Sequence, residues 1–153
     1  MNNANQLFFD AVKRYPNFKT LFKQFCDEAA KRLNGNFPDV NFSAGADGAS
    51  AKLKALDRTF EISLHFLIVE NARWAVLQVS LPEENKEPVR LFHLFFDERG
   101  NVKATPDASV DLRHLSSTGF VETFVNRVAR EYFSHLSAAL GSAPGGSQEW
   151  STR

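Results

Sequence analysis

Four histidines, one cysteine, a scatter of serines and several adjacent carboxylates are the residues of this chain that could do chemistry. His65 and His93 fall in segments that alternate like β-strands, and the strand period points both to one sheet face, two strands and one diagonal step apart. At ~4.8 Å between strands and ~3.3 Å per residue, that separation is on the order of 10–12 Å. Zinc–nitrogen bonds of about 2.0–2.1 Å cannot bridge it, so no metal site is expected there. His114 falls in a predicted loop and His135 on a predicted helix, neither with a His-x3-His or acidic companion at ligand spacing. Cys26 lies on an apolar stripe, where a buried, inert thiol is expected. Gly-x-Ser-x-Gly, the phosphate-binding Gly-x-x-x-x-Gly-Lys-Ser/Thr and the dinucleotide-binding Gly-x-Gly-x-x-Gly are all missing from the sequence, which removes the usual signs of hydrolase and nucleotide chemistry. Glu83/Glu84, Asp97/Glu98 and Asp27/Glu28 fall in loops or on a wet helix face and read as solubility. No catalytic residue and no cofactor is assigned. An enzyme of unrecognised type using His65 or His93 stays the least favoured reading.

The scaffold for these groups is bounded by size and charge. A chain of 153 residues, 43% hydrophobic and 24% charged, fits a single folded domain. We assign residues 1–140 to one α+β domain and 141–153, with its Gly141-Ser142-Ala143-Pro144-Gly145-Gly146 start, to a flexible C-terminal tail. Eighteen basic residues balance eighteen acidic ones, so no global field draws the protein to nucleic acid, which is disfavoured as a partner despite Trp74, Phe95 and the nearby Arg73, Arg90 and Lys103. The first residues lack a basic, apolar leader, and the run Phe66-Leu67-Ile68-Val69 is far short of the ~20 residues that span a bilayer. A cytoplasmic location without membrane contact is the expectation, and one cysteine fits a reducing compartment. Fifteen phenylalanines imply a large aromatic core, an apolar surface, or both.

The positioning elements follow from period and punctuation. Leu7, Phe8 and Val12 suggest a short helix closed by Pro16, because the residue before proline is pushed out of the α region. A second helix, 17–34, carries Phe18, Leu21, Phe22, Phe25, Cys26, Ala29 and Leu33 on one stripe and stops at Asn34-Gly35. A last helix from about Thr118 to Leu140 carries Val121, Phe124, Val125, Val128, Tyr132, Leu136 and Leu140 on one apolar face. Between them the period drops to two. An antiparallel meander of five or six strands is expected, with these helices packed on one face. Turns at Ala46-Asp47-Gly48, Leu56-Asp57, Asn71-Ala72 and Glu98-Arg99-Gly100 set Phe42 opposite Ala51, Leu53 opposite Phe60, Lys52 opposite Glu61, and Phe66 opposite Leu77.

The opposite face of such a sheet should be polar. Asn41, Ser43, Ser50, Lys52, Glu61 and Ser63 obey. Leu67, Val69, Trp74, Val76, Leu91 and Phe95 do not, and together they approach the few hundred Å² that mark an interface. The preferred expectation is therefore a non-enzymatic protein-interaction module that binds a second copy or another protein through this face. On that expectation Trp74→Glu weakens association and leaves helix content intact. Intramolecular cover by Phe8 and Phe9 or by Trp150 is the competing expectation. An alternative is a small apolar-ligand domain with a cavity between sheet and helix and His65, Gln78 or His93 as polar anchors.

In outline the chain resembles the small dimeric secretion chaperones and bacterial immunity or inhibitor proteins: leading helix, antiparallel meander, long closing helix. The resemblance implies a soluble dimeric adaptor. The type III secretion chaperones are usually acidic and place a helix between the third and fourth strands. Here the charges cancel and the third strand turns directly at Asn71-Ala72.

Overall fold

The computed structural model describes residues 4–106 and 113–141. Helix α1 (Ala4–Leu33) is followed by strands β1 (Asn41–Ala44), β2 (Ser50–Ala55), β3 (Arg58–Val69), β4 (Ala72–Leu81), β5 (Val89–Phe96), β6 (Asn101–Lys103) and β7 (Arg113–His114), and by helix α2 (Thr118–Gly141). The strands form one antiparallel sheet in chain order, seven where five or six were expected. The additional strand, β7, spans two residues, too few for any period to announce it. It is held by the Leu115 N–H donating to the Gly100 carbonyl at 2.7 Å. The class is α+β.

The expected break at Pro16 does not occur: α1 runs through it as one helix of 30 residues. Proline in a helix interior removes one backbone hydrogen bond and costs about 3 kcal/mol. Tertiary contacts on both sides of it offset that penalty. Tyr15 and Phe18 meet the Phe66 ring edge-on at 6.3 and 5.5 Å. One turn earlier, Asp10 takes a two-pronged hydrogen bond from Arg73 on β4 at 2.6 and 2.8 Å. The expected Asn34-Gly35 stop holds, with Gly35 at φ +81°.

Two hairpins are closed by two-residue turns, Leu56-Asp57 and Glu70-Asn71, all four residues at positive φ. Such type I′ turns match the twist of paired strands. The first sits where expected, and Leu53 faces Phe60 and Lys52 faces Glu61. The second lies one residue earlier than expected. A shift of the turn centre by one residue moves the pairing by two, so Phe66 faces Ala75 instead of Leu77, and Leu67 faces Trp74. Each side chain keeps its face. The same two-residue displacement affects β1, where Phe42 faces Leu53. Asp47 closes that loop by accepting the Ala49 N–H at 3.0 Å and the Ser50 hydroxyl at 2.8 Å, and these bonds, the Ala49 one foremost, hold its carboxyl below the usual aspartate range. The expected turn at Glu98-Arg99-Gly100 forms, Gly100 at φ +89° donating to the Asp97 carbonyl at 3.0 Å.

The core is aromatic and lies between the sheet and both helices. Phe25 of α1 sits 5.8 Å from Phe42, 5.5 Å from Phe120 and 5.1 Å from Phe124. Phe18 meets Phe96 on β5, while Tyr132 of α2 meets Phe60 on β3. Phe60 and Phe66 share one strand parity, as do Phe92 and Phe96, so both helices cover the same face. The first turns of α1 lie by the β3–β4 turn, where Asp10 meets Arg73, and there Leu7, Phe8, Phe9 and Val12 stand 45–68% exposed. At its last turns α2 leaves Phe133 exposed and, contrary to the expected stripe, Leu136 and Leu140 as well, because the end of the helix has left the core. Of the tail expected at 141–153, Gly141 instead closes α2, and the rest, with Trp150, lies outside the described residues.

Candidate functional site

The outward sheet face is arranged in rows set by the register. His65, Val76, Phe95 and Lys103 form one row across β3 to β6, and Ser50, Ser63, Gln78 and His93 form the next. Leu67 and Trp74 form the row beyond. The alternation therefore breaks where expected, but the broken stretch mostly covers itself. Trp74 is only 7% exposed. Its ring meets Phe95 edge-on at 6.4 Å, with the Lys103 ammonium 6.0 Å from its centre. Val69, Val76 and Phe95 are half-buried, and Leu67 alone of the six is exposed. Leu91 leaves the set altogether. A bulge between Val79 and Ser80 pairs Phe92 with Val79 and Arg90 with Ser80, which makes Leu91 the extra residue, and it packs against the core. Bulges of this kind change which way a strand residue faces. Phe8 and Phe9 do not cover this face, because α1 lies on the other one.

His65, Gln78 and His93 sit on the same outward face. His65 Nε2 lies 3.1 Å from the Ser63 hydroxyl, a serine–histidine contact in an exposed setting. A nucleophile of this type needs a third group orienting the base and donors for an oxyanion. Glu61 is the nearest carboxylate on that face of β3, two residues beyond Ser63, and it stands opposite Lys52 and Ser80. His93 instead stacks edge-on with Phe95 at 5.5 Å. His114 is engaged structurally: the Ser116 N–H donates to its Nδ1 at 3.1 Å, and its Nε2 lies 2.6 Å from the Arg99 carbonyl. His135 lies 3.6 Å from Glu83. Among the described residues no three His, Cys, Asp or Glu side chains gather as a metal site, and no helix is long and apolar enough to cross a membrane. Burial, foremost, pushes the Cys26 thiol up to about 12, so it is protonated and unreactive at neutral pH.

A cavity between sheet and helix exists, on the opposite side from the three anchors named for it. About 520 Å³ opens between the C-terminal turn of α1, the β2–β3 turn and the first half of α2. Leu33, Leu53, Phe60 and Val121, all buried, form its floor, and Phe37 and Leu56, each 54% exposed, form its rim. The only charges lining it are Arg32 and Glu122, paired to each other at 3.1 Å. Its size matches ordinary ligand pockets. Neither the groove nor the exposed start of α1 was singled out as a site from the sequence. A leucine in a two-residue hairpin turn was the available signal for the first, and adjacent phenylalanines ahead of a helix-interior proline for the second.

At the far end of α1, Phe8 and Phe9 stack edge-on at 5.6 Å, 63% and 68% exposed. Asp10 on the same turn holds Arg73, whose guanidinium also reaches Glu98 at 3.7 Å. The Arg73 hydrogen bond, foremost, keeps the Asp10 carboxyl below its ordinary value of 3.8. These first turns are therefore tied to the sheet with their apolar side chains in water. Compared with known protein families, with curated proteins and with solved structures, the chain matches none.

Proposed function

We propose that this chain is a non-enzymatic protein-interaction module that docks a protein partner or a second copy of itself through apolar side chains its own fold leaves in water. The observation that carries this reading is the first three turns of α1. Leu7, Phe8, Phe9 and Val12 are contiguous and 45–68% exposed, on the order of 400–500 Å² of apolar surface at ~150–250 Å² per aromatic side chain. A patch of that size marks interaction surfaces on soluble proteins. The outward sheet face, which the sequence favoured, contributes less, since Trp74 is buried and Leu91 is partly buried against the core. Its remaining exposed apolar group is Leu67.

Site-specific photo-crosslinking in the native host tests the reading. A photoreactive phenylalanine analogue at position 8 is expected to give a discrete protein adduct, and the same analogue at Lys54, an exposed position of β2, is expected to give none. No adduct at position 8, or equal labelling at both, overturns the proposal.

A further inference from the structure

We infer that copies of this chain associate head to tail, the Leu7, Phe8, Phe9 and Val12 knob of one copy seated in the groove between α1, the β2–β3 turn and α2 of the next. The inference rests on the reading above that the apolar start of α1 docks protein, and adds the identity of the partner and the receiving site.

Knob and groove match in size. An apolar cavity of ~150 Å³ accepts one benzene ring, so 520 Å³ has room for about three ring-sized groups, the bulk of two phenylalanines and a leucine. They also match in character. Eleven of the fourteen lining residues are apolar, and the two charged ones neutralise each other across the mouth. The four apolar side chains of the knob meet no uncompensated charge in the groove.

Geometry makes the contact intermolecular. The knob and the groove lie at opposite ends of one uninterrupted helix, Val12 at one and Arg32 at the other. Twenty residues at 1.5 Å each separate them by about 30 Å along a rigid rod. No copy can fill its own groove with its own knob.

The rim carries an independent sign. Leu56 occupies the left-handed region at φ +56°, a conformation unfavourable for a bulky side chain and one that asparagine or glycine adopts readily. The side chain held there is 54% exposed, so its own fold recovers little from it. Phe37, across the mouth, is equally exposed. Filling the groove from outside removes both from water. With both surfaces counted, full cover of the knob buries roughly 800–1,000 Å², in the range of weak, transient association. It is therefore reversible and concentration-dependent. Because the two surfaces differ, the contact either repeats from copy to copy into chains or rings, or is made twice in a reciprocal pair about a two-fold axis.

Sedimentation equilibrium across a concentration series, on the full chain and on two exposed-site variants, tests this. The wild type is expected to rise from its 17.2 kDa chain mass to at least twice that value as concentration rises. A knob variant, Phe8→Glu with Phe9→Glu, and a rim variant, Phe37→Glu with Leu56→Glu, are each expected to stay single. Mixed in equal amounts they retain one intact knob and one intact groove, and should form a 1:1 dimer that grows no further. Leu56→Asn, which suits the turn backbone, guards against misfolding of the rim variant and should weaken assembly several-fold with the fold intact. A wild type that stays single overturns the inference, as does a mixture that remains monomeric. A different protein crosslinked at position 8, alongside a single-copy wild type, overturns this pairing and leaves the docking role of α1 standing. The lack of any adduct at position 8 removes both.

Discussion

Trp74 illustrates how far side-chain identity and strand parity carry a reading and where they stop. Its parity places it on the outward face, as the sequence implied, yet the ring is 7% exposed because Phe95, one strand over, and Lys103, on the next, close around it. Which face a residue takes is a local property. How much water reaches it depends on three strands. Trp74 therefore belongs to stability: Trp74→Ala is expected to lower the unfolding free energy by about 3–5 kcal/mol, the range for emptying a buried aromatic site, with no change in association at concentrations where the chain remains folded. Denaturant titration checks the first, and sedimentation the second. Leu91 failed for a different reason. One extra residue opposite Val79/Ser80 reverses the alternation, and no residue type in that stretch announces a bulge.

Among the elements, the hairpin registers were legible to the extent that their turns were. Leu56-Asp57 was placed correctly and its pairs followed. Misplacing Glu70-Asn71 by one position displaced pairs by two and spared the faces, so the core residues of β3 and β4 were identified even where their partners were not. Helix α1 escaped the same logic because proline's local penalty was outweighed by contacts distant in sequence, with Phe66, Phe96 and Arg73. Its first turns depend on the Asp10–Arg73 clasp, and that dependence has a sign. The Asp10 carboxyl titrates below its ordinary 3.8 when docked, so the folded state binds fewer protons than the released one. The clasp's stabilisation is complete above that value and is lost as pH falls through the lower, docked one. Amide hydrogen exchange over residues 6–14 is expected to quicken on acidification below about pH 4 while the sheet stays protected. Asp10→Asn should show the faster exchange already at neutral pH. Equal protection in both proteins at every pH would remove the clasp from the account.

At the scale of the molecule, an α+β domain with an aromatic core was readable from fifteen phenylalanines and two changes of period. The uneven coverage of that core was not. Two helices of 30 and 24 residues lie on one sheet face, leave apolar side chains exposed at their free ends and part over β2, and these features depend on helix lengths and crossing positions that no single segment encodes. The result is a molecule with surplus hydrocarbon at one pole and an open apolar groove toward the other. The claim on which the functional reading stands is that Phe8 and Phe9 are surplus to the chain's own folding. Denaturant unfolding of Phe8→Glu with Phe9→Glu, at a dilution where the wild type is single, measures this directly. We predict a change within about 0.5 kcal/mol, as for substitutions at exposed positions, and unchanged helix content. A loss of several kcal/mol would mean that the rings hold the domain together, and would contradict the account.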